Sequence, residues 1–158
     1  MKRSDRKRLF VFGALSLVML FFIYGQSLMS RQSSADASGF IVSCLKPLLD
    51  PKGYFTEGGF HHFIRKAGHF TEYRLLGTFF TGFYAALRQS APKSCFSPLF
   101  FVLAVAVSDE YLQFFSGRGS TVTDVVLDFL GALTGLILMS LVGYLSNKRS
   151  KRNEAGLQ

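Results

Sequence analysis

The stretch "RKAGHFTEYRLLG", residues 65–77, opens a run with the apolar density of a membrane span, yet it carries Arg65, Lys66, His69, Glu72 and Arg74. Charged groups are expensive in a bilayer and concentrate there at bundle interiors and functional sites. The fold therefore has to supply partners for these five side chains.

The rest of the chain narrows the class. Of 158 residues, 49% are apolar and 15% aromatic, with 18 Phe and no Trp, a length that fits one domain. The apolar residues fall in blocks instead of interleaving with charge. Residues 9–24 hold no charge, residues 70–87 are apolar after a polar start, residues 95–115 are apolar until Asp109, and residues 125–145 hold only Asp128. Each block approaches the ~20 residues that cross a hydrocarbon core of ~30 Å. Only internally hydrogen-bonded elements survive in lipid, so the blocks read as helices. The expectation is an all-α fold: a small polytopic membrane protein with four transmembrane helices in a compact bundle. The spans are about 9–25, 69–87, 96–115 and 124–145, with an outer loop over 26–64.

Lys2, Arg3, Arg6, Lys7 and Arg8 precede the first block, and Lys148, Arg149, Lys151 and Arg152 follow the last. The link between the second and third blocks adds Arg88 and Lys93. The positive-inside rule puts all three in the cytoplasm, which requires an even number of spans. Residues 1–8 and 146–158 are then basic cytoplasmic ends of a protein of the bacterial cytoplasmic (inner) membrane. The net charge of +8 is a topology signal with some attraction to anionic membrane lipids, and no nucleic-acid partner is expected. "ADASG", residues 35–39, resembles a signal-peptide cleavage site, but its Ala37 lies 13 residues beyond Tyr24, so the first helix is read as retained. Cys44 and Cys95 fall on opposite sides of the membrane and suggest neither a disulfide framework nor a zinc site.

The outer loop is Ser- and Gly-rich before "FIVSCLKPLLD", residues 40–50, where Phe40, Ile41, Leu45, Leu48 and Leu49 recur at helical spacing and predict a short helix on the membrane surface. His61 and His62 in this loop read as interfacial residues.

Even spans place residues 65–73 at the outer end of span two, "VSDEYLQFF" (107–115) at the outer end of span three, and "SGRGSTVTDVVLDFLG" (116–131) at the outer start of span four. Lys66, His69, Glu72, Asp109, Glu110, Gln113, Arg118, Asp124 and Asp128 thus share one membrane depth. At ~100° per residue, Arg65, Lys66, His69, Glu72 and Tyr73 occupy an arc of roughly 120°. Asp124, Asp128, Gly131 and Gly135 form one stripe, and its two glycines allow a neighbouring helix to approach closely. Gly117 and Gly119 permit a tight turn, and Thr121 with Asp124 forms a capping pair for span four.

"KAGHFTEYRLLG" (66–77) with "SDEYLQFFSGRGSTVTDVVLDFLGALTG" (108–135) resembles the VanZ-like family of bacterial membrane proteins, over about residues 9–142. "IYGQSLMS" (23–30) resembles the family's Ser-containing turn more weakly. The matching elements are Lys66, His69, Glu72 and Tyr73, then Asp109, Glu110, Gln113, Gly117, Arg118 and Asp124. Asp128 departs from the pattern, which has Asn there, and adds a carboxylate. The resemblance implies a relation to a protein associated with low-level resistance to teicoplanin, a lipoglycopeptide that binds cell-wall precursors; it supplies no molecular activity.

Three functions stay open for the cluster. In the first, Lys66, Arg118 and Arg65 balance Glu72, Asp109, Glu110 and Asp124 and tie helix ends together. In the second, a membrane enzyme, a hydrolase or transferase, uses His69, Glu72, Asp109, Glu110 and Asp124 for acid–base work on a phosphate-containing lipid or wall precursor. In the third, Lys66 and Arg118 grip the anionic group of a lipid-linked wall precursor, with Tyr73, Gln113 and Asp128 in support. No cofactor is expected. A divalent cation held by His69, Glu72, Asp109, Glu110 and Asp124 is a subsidiary form of the enzyme, opposed by the single well-placed His and the two nearby cations. Transport is disfavoured by the small number of spans unless the chain forms an oligomer, for which the Gly131/Gly135 stripe is one basis.

Overall fold

The computed structural model describes residues 3–87, 96–117, 119 and 121–155. Among these there are five helices and no strand: α1 (Arg3–Ser27), α2 (Arg31–Leu49), α3 (Glu57–Leu87), α4 (Phe96–Phe115) and α5 (Val122–Ala155). The segment joining the second and third apolar blocks, with Arg88, Lys93 and Cys95, lies outside the described residues.

Helix direction follows from which ends meet. Gly13 of α1 lies against the Phe83 ring of α3, and Gly82 against Phe12. At the other end of the pair, Gln26 Nε2 donates to Glu72 Oε1 at 3.1 Å. These two helices are therefore antiparallel. In contrast, α3 and α5 advance together: Lys66 meets Asp124, and Gly131 and Gly135 abut the Phe70 and Arg74 carbonyls. Tyr24 and Ser108 share a hydrogen bond of 2.7 Å, placing α4 parallel to α1, and Phe80 stacks on Phe101 at 3.9 Å with α4 antiparallel to α3. So α1 and α4 run one way, α3 and α5 the other.

Small residues set the closest contact. A Cβ at Gly77 would collide with the Ala132 backbone, and one at Gly135 with the Arg74 carbonyl oxygen and Thr78. The backbones of α3 and α5 touch along this seam, as small residues spaced by four allow. Around it lies a core of Ile23, Tyr73, Leu76, Val102, Val105, Ala106 and Ala132.

The outer surface is apolar. Phe10, Leu17, Val18, Phe21, Leu138, Leu141 and Leu145 are exposed, on a scale that a water-facing monomer does not display. Among the described residues three helices are long and apolar enough to cross a membrane, over Asp5–Ser27, Pro98–Phe115 and Val122–Arg149. The chain is a small helical membrane bundle. The remaining expected span, 69–87, is the second half of α3; Glu72 and Arg74 make it more polar than the other three, and α1, α4 and α5 all pack against it.

One expectation needs correction. Residues 26–64 are mostly helix, not loop. The Ser-rich stretch is the start of α2, where the Ser30 side chain accepts from the Ser33 amide at 3.2 Å and supplies the N-cap. The real connection is residues 50–56. There Asp50, 6% exposed, accepts from the amides of Tyr54 (2.7 Å) and Phe55 (2.9 Å), and Gly53 turns the chain at φ 68°. Phe55, Phe60 and Phe63 pack together over the start of α3.

Candidate functional site

Four helices deliver side chains to one end of the bundle. Tyr73 on α3, Asp109 on α4 and Asp128 on α5 are at most 1% exposed, with Glu110 and Gln113 nearly as buried. Basic residues lie at the opposite end of α1 and α5: Arg8 precedes Ser27, and Lys148 follows Asp128, by about 30 Å of helix. That separation matches the ~30 Å hydrocarbon core.

Local chemistry fixes the α5 edge. Gly117 takes φ 71° after α4. The Thr121 hydroxyl accepts from the Asp124 amide at 3.3 Å and donates to Asp124 Oδ2 at 2.9 Å, the expected capping pair. Asp124 Oδ1 also accepts from Lys66 Nζ at 2.7 Å, pinning the start of α5 to α3. Their side chains are 19% and 30% exposed, so water softens the desolvation cost of this pair.

Deeper in, Asp109 is held by donors. Its Oδ1 accepts from the Ser27 hydroxyl and its Oδ2 from Gln113 Nε2 at 3.1 Å. Glu110 Oε2 accepts from the Thr121 amide at 3.3 Å. Asp128 differs: among the described residues neither of its carboxylate oxygens accepts a hydrogen bond. The His69 imidazole lies beside it, with Nδ1 at 3.9 Å from Oδ1. Lys66, His69, Glu110, Gln113, Asp124, Asp128, Arg65 and Leu127 line a cavity of about 10 Å³, room for one water or one ion.

Of the five ionisable groups in the opening stretch, three turn inward and find partners: Lys66 with Asp124, His69 with Asp128, and Glu72 with Gln26. Arg65 and Arg74 are exposed on the bundle surface, and long stems let such groups reach the membrane boundary. Glu72 faces α1 and does not line the cavity. Arg118 lies outside the described residues.

Reasoning from three helices missed α1. Gln26 and Ser27 bond Glu72 and Asp109, and the Ser27 carbonyl accepts from the Ser116 hydroxyl at 2.8 Å. The signal was present in "IYGQSLMS", where polar residues close an otherwise apolar helix.

A family model described as VanZ/LLP1 matches residues 11–143. The chain belongs to the VanZ/LLP1 family. The match takes in α1 to α4 and most of α5, and with them every helix that contributes to the polar end. No curated protein and no solved structure matches this VanZ/LLP1 chain. The family and the apolar helices together make it a VanZ-like membrane protein.

Proposed function

We propose that this VanZ/LLP1 protein lies in the bacterial cytoplasmic membrane with both ends cytoplasmic, and binds the phosphate group of an anionic lipid-linked envelope component at its outer face, lowering what teicoplanin finds there. One observation carries the reading: Arg65 and Lys66 border a cavity whose walls are otherwise His69, Glu110, Gln113, Asp124, Leu127 and Asp128. A cavity of about 10 Å³ is too small to take in a headgroup, so the anion rests at the mouth on the two cations while the acidic floor stays beneath it. Exposed Arg65 is available for a bidentate phosphate contact. The basic residues at the far end of α1 and α5 support the orientation.

The test is teicoplanin binding to cells carrying the full chain, with membrane abundance measured in the same samples, beside retention of a polyprenyl-phosphate lipid by the purified protein. The wild type reduces teicoplanin binding and retains the lipid; Arg65→Gln, which leaves the Lys66–Asp124 pair in place, weakens both at unchanged abundance. A wild type that does neither ends the proposal.

An enzymatic reading is favoured by the approach of His69 to Asp128 at 3.9 Å beside that cavity, an acid–base pair below a bound phosphate. Ser108 is not available as its nucleophile, because its hydroxyl is engaged by Tyr24 and the Val105 carbonyl. Turnover of the retained lipid, absent in His69→Gln, separates this reading from binding alone.

A further inference from the structure

Three inward-facing groups at this end form a set that the phosphate contact does not use. His69 from α3, Asp109 from α4 and Asp128 from α5 each offer one possible ligand atom, and these atoms all lie within 4.8 Å of one another. Donors bound to one ion at about 2.0–2.2 Å sit roughly 3 to 4.4 Å apart, so shifts of ~0.5 Å close the set around a cation. Acidic clusters are common, but the carboxylates of this one are buried, and that of Asp128 is unsatisfied by the described residues. Asp128 is 1% exposed, and neither of its oxygens accepts a hydrogen bond among the described residues. A buried carboxylate left so is costly, and it is resolved by a cation or by a proton.

The neighbours distinguish these two. Asp109 already accepts from Ser27 and Gln113, which fixes the direction of its oxygens, the outer-sphere pattern of a ligating carboxylate. Two carboxylates neutralise a 2+ ion. An imidazole nitrogen among them favours a first-row transition ion over the all-oxygen shells of magnesium and calcium. Of the two cations bordering the cavity, Lys66 is bonded to Asp124 at 2.7 Å and Arg65 is exposed. The cavity of about 10 Å³ adjoins His69 and Asp128 and leaves room for one water on the ion.

We infer that His69, Asp109 and Asp128 form a site for one divalent transition-metal ion, with its open position facing the cavity. This set differs from the ligands read from the sequence: Glu72, Glu110 and Asp124 are bonded to Gln26, Thr121 and Lys66, and Asp128 takes their place. The site stands on its own donors and is tested without lipid ligand, so it can fail while the phosphate reading holds, and the reverse.

The full chain, purified into nanodiscs of neutral phosphatidylcholine and stripped with chelator, would be titrated with Co²⁺ by visible absorption and with Zn²⁺ by competition. Bound metal would be counted by elemental analysis. One ion per chain is expected, with affinity at least ~10-fold weaker in His69→Gln and Asp128→Asn, and weakened by about 10-fold in Ser27→Ala, which only positions Asp109. His61→Ala with His62→Ala, on the surface at the start of α3, should bind as wild type does. The inference is overturned if the wild type retains no ion, if both site variants bind unchanged, or if the His61/His62 pair is what binding requires. Should a site variant fail to insert, the wild-type stoichiometry and the surface-histidine variant still decide.

Discussion

Two regions of the same helix pair behave in opposite ways. Along Gly77, Gly131 and Gly135, α3 and α5 are in backbone contact with no side chain between them. One or two turns away, at Lys66, His69, Asp124 and Asp128, the same helices are separated by ionisable side chains and a cavity. The seam tolerates no added atom, whereas the polar end retains a carboxylate, that of Asp128, with no hydrogen bond from the described residues. The difference teaches that the seam sets the geometry and the polar end carries the consequence. Helices locked at backbone distance leave His69 and Asp128 no freedom to move apart.

The comparison breaks most directly at the seam. Gly135→Leu would drive a side chain into the Arg74 carbonyl and Thr78, and should cost about 3 kcal/mol or more, seen as loss of folded protein in membranes by fluorescence-detected size exclusion. Gly143→Leu, with open space around it, is the control and should accumulate normally. Next comes the outer ion pair. Lys66→Met strands a partly buried Asp124 and should lower stability by about 1–3 kcal/mol in thermal unfolding, a range between exposed and buried pairs. Lys66→Met with Asp124→Leu should recover most of that loss, and a double variant no better than the single one would contradict a simple pair.

Smaller effects sharpen the polar end. Ser27→Ala removes a donor to buried Asp109 and should cost about 1–2 kcal/mol. Asp128→Asn should instead stabilise chelator-treated protein by about 1 kcal/mol, read as a higher melting temperature, since a buried carboxylate that accepts no hydrogen bond from the described residues is replaced by a neutral group. A fall in stability there would mean that the carboxylate has a protein partner after all. The smallest effect belongs to α2: Leu48 is 75% exposed, so Leu48→Ala should change bundle stability by less than ~0.5 kcal/mol.

Much of the site was legible in order along the chain. Lys66, His69, Tyr73, Asp109, Glu110, Gln113, Asp124 and Asp128 stand at helical spacings on spans whose alternation brings them to one depth, and the structure gathers them. Thr121 and Asp124 declare a helix start because their capping bonds are local. The length of α2 was not legible, because serines are weak helix formers that also serve as caps and in turns. The share of α1 was missed because Gln26 and Ser27 carry no charge, so nothing in their periodicity pairs them with residues 46 and 82 positions away.

The sequence by itself determined that the chain is a helical membrane bundle, because the length of an apolar run and its flanking charge answer to the bilayer and not to other helices. It also determined which polar residues share a depth. Only the tertiary structure decided how they divide: Lys66 to Asp124, Glu72 to Gln26, Asp109 to Ser27 and Gln113, and Asp128 to His69 across 3.9 Å. Depth follows from position along one helix. Partnership depends on how each helix is rotated and how closely it approaches its neighbour, and here the glycines facing Phe70, Arg74 and Ala132 set both.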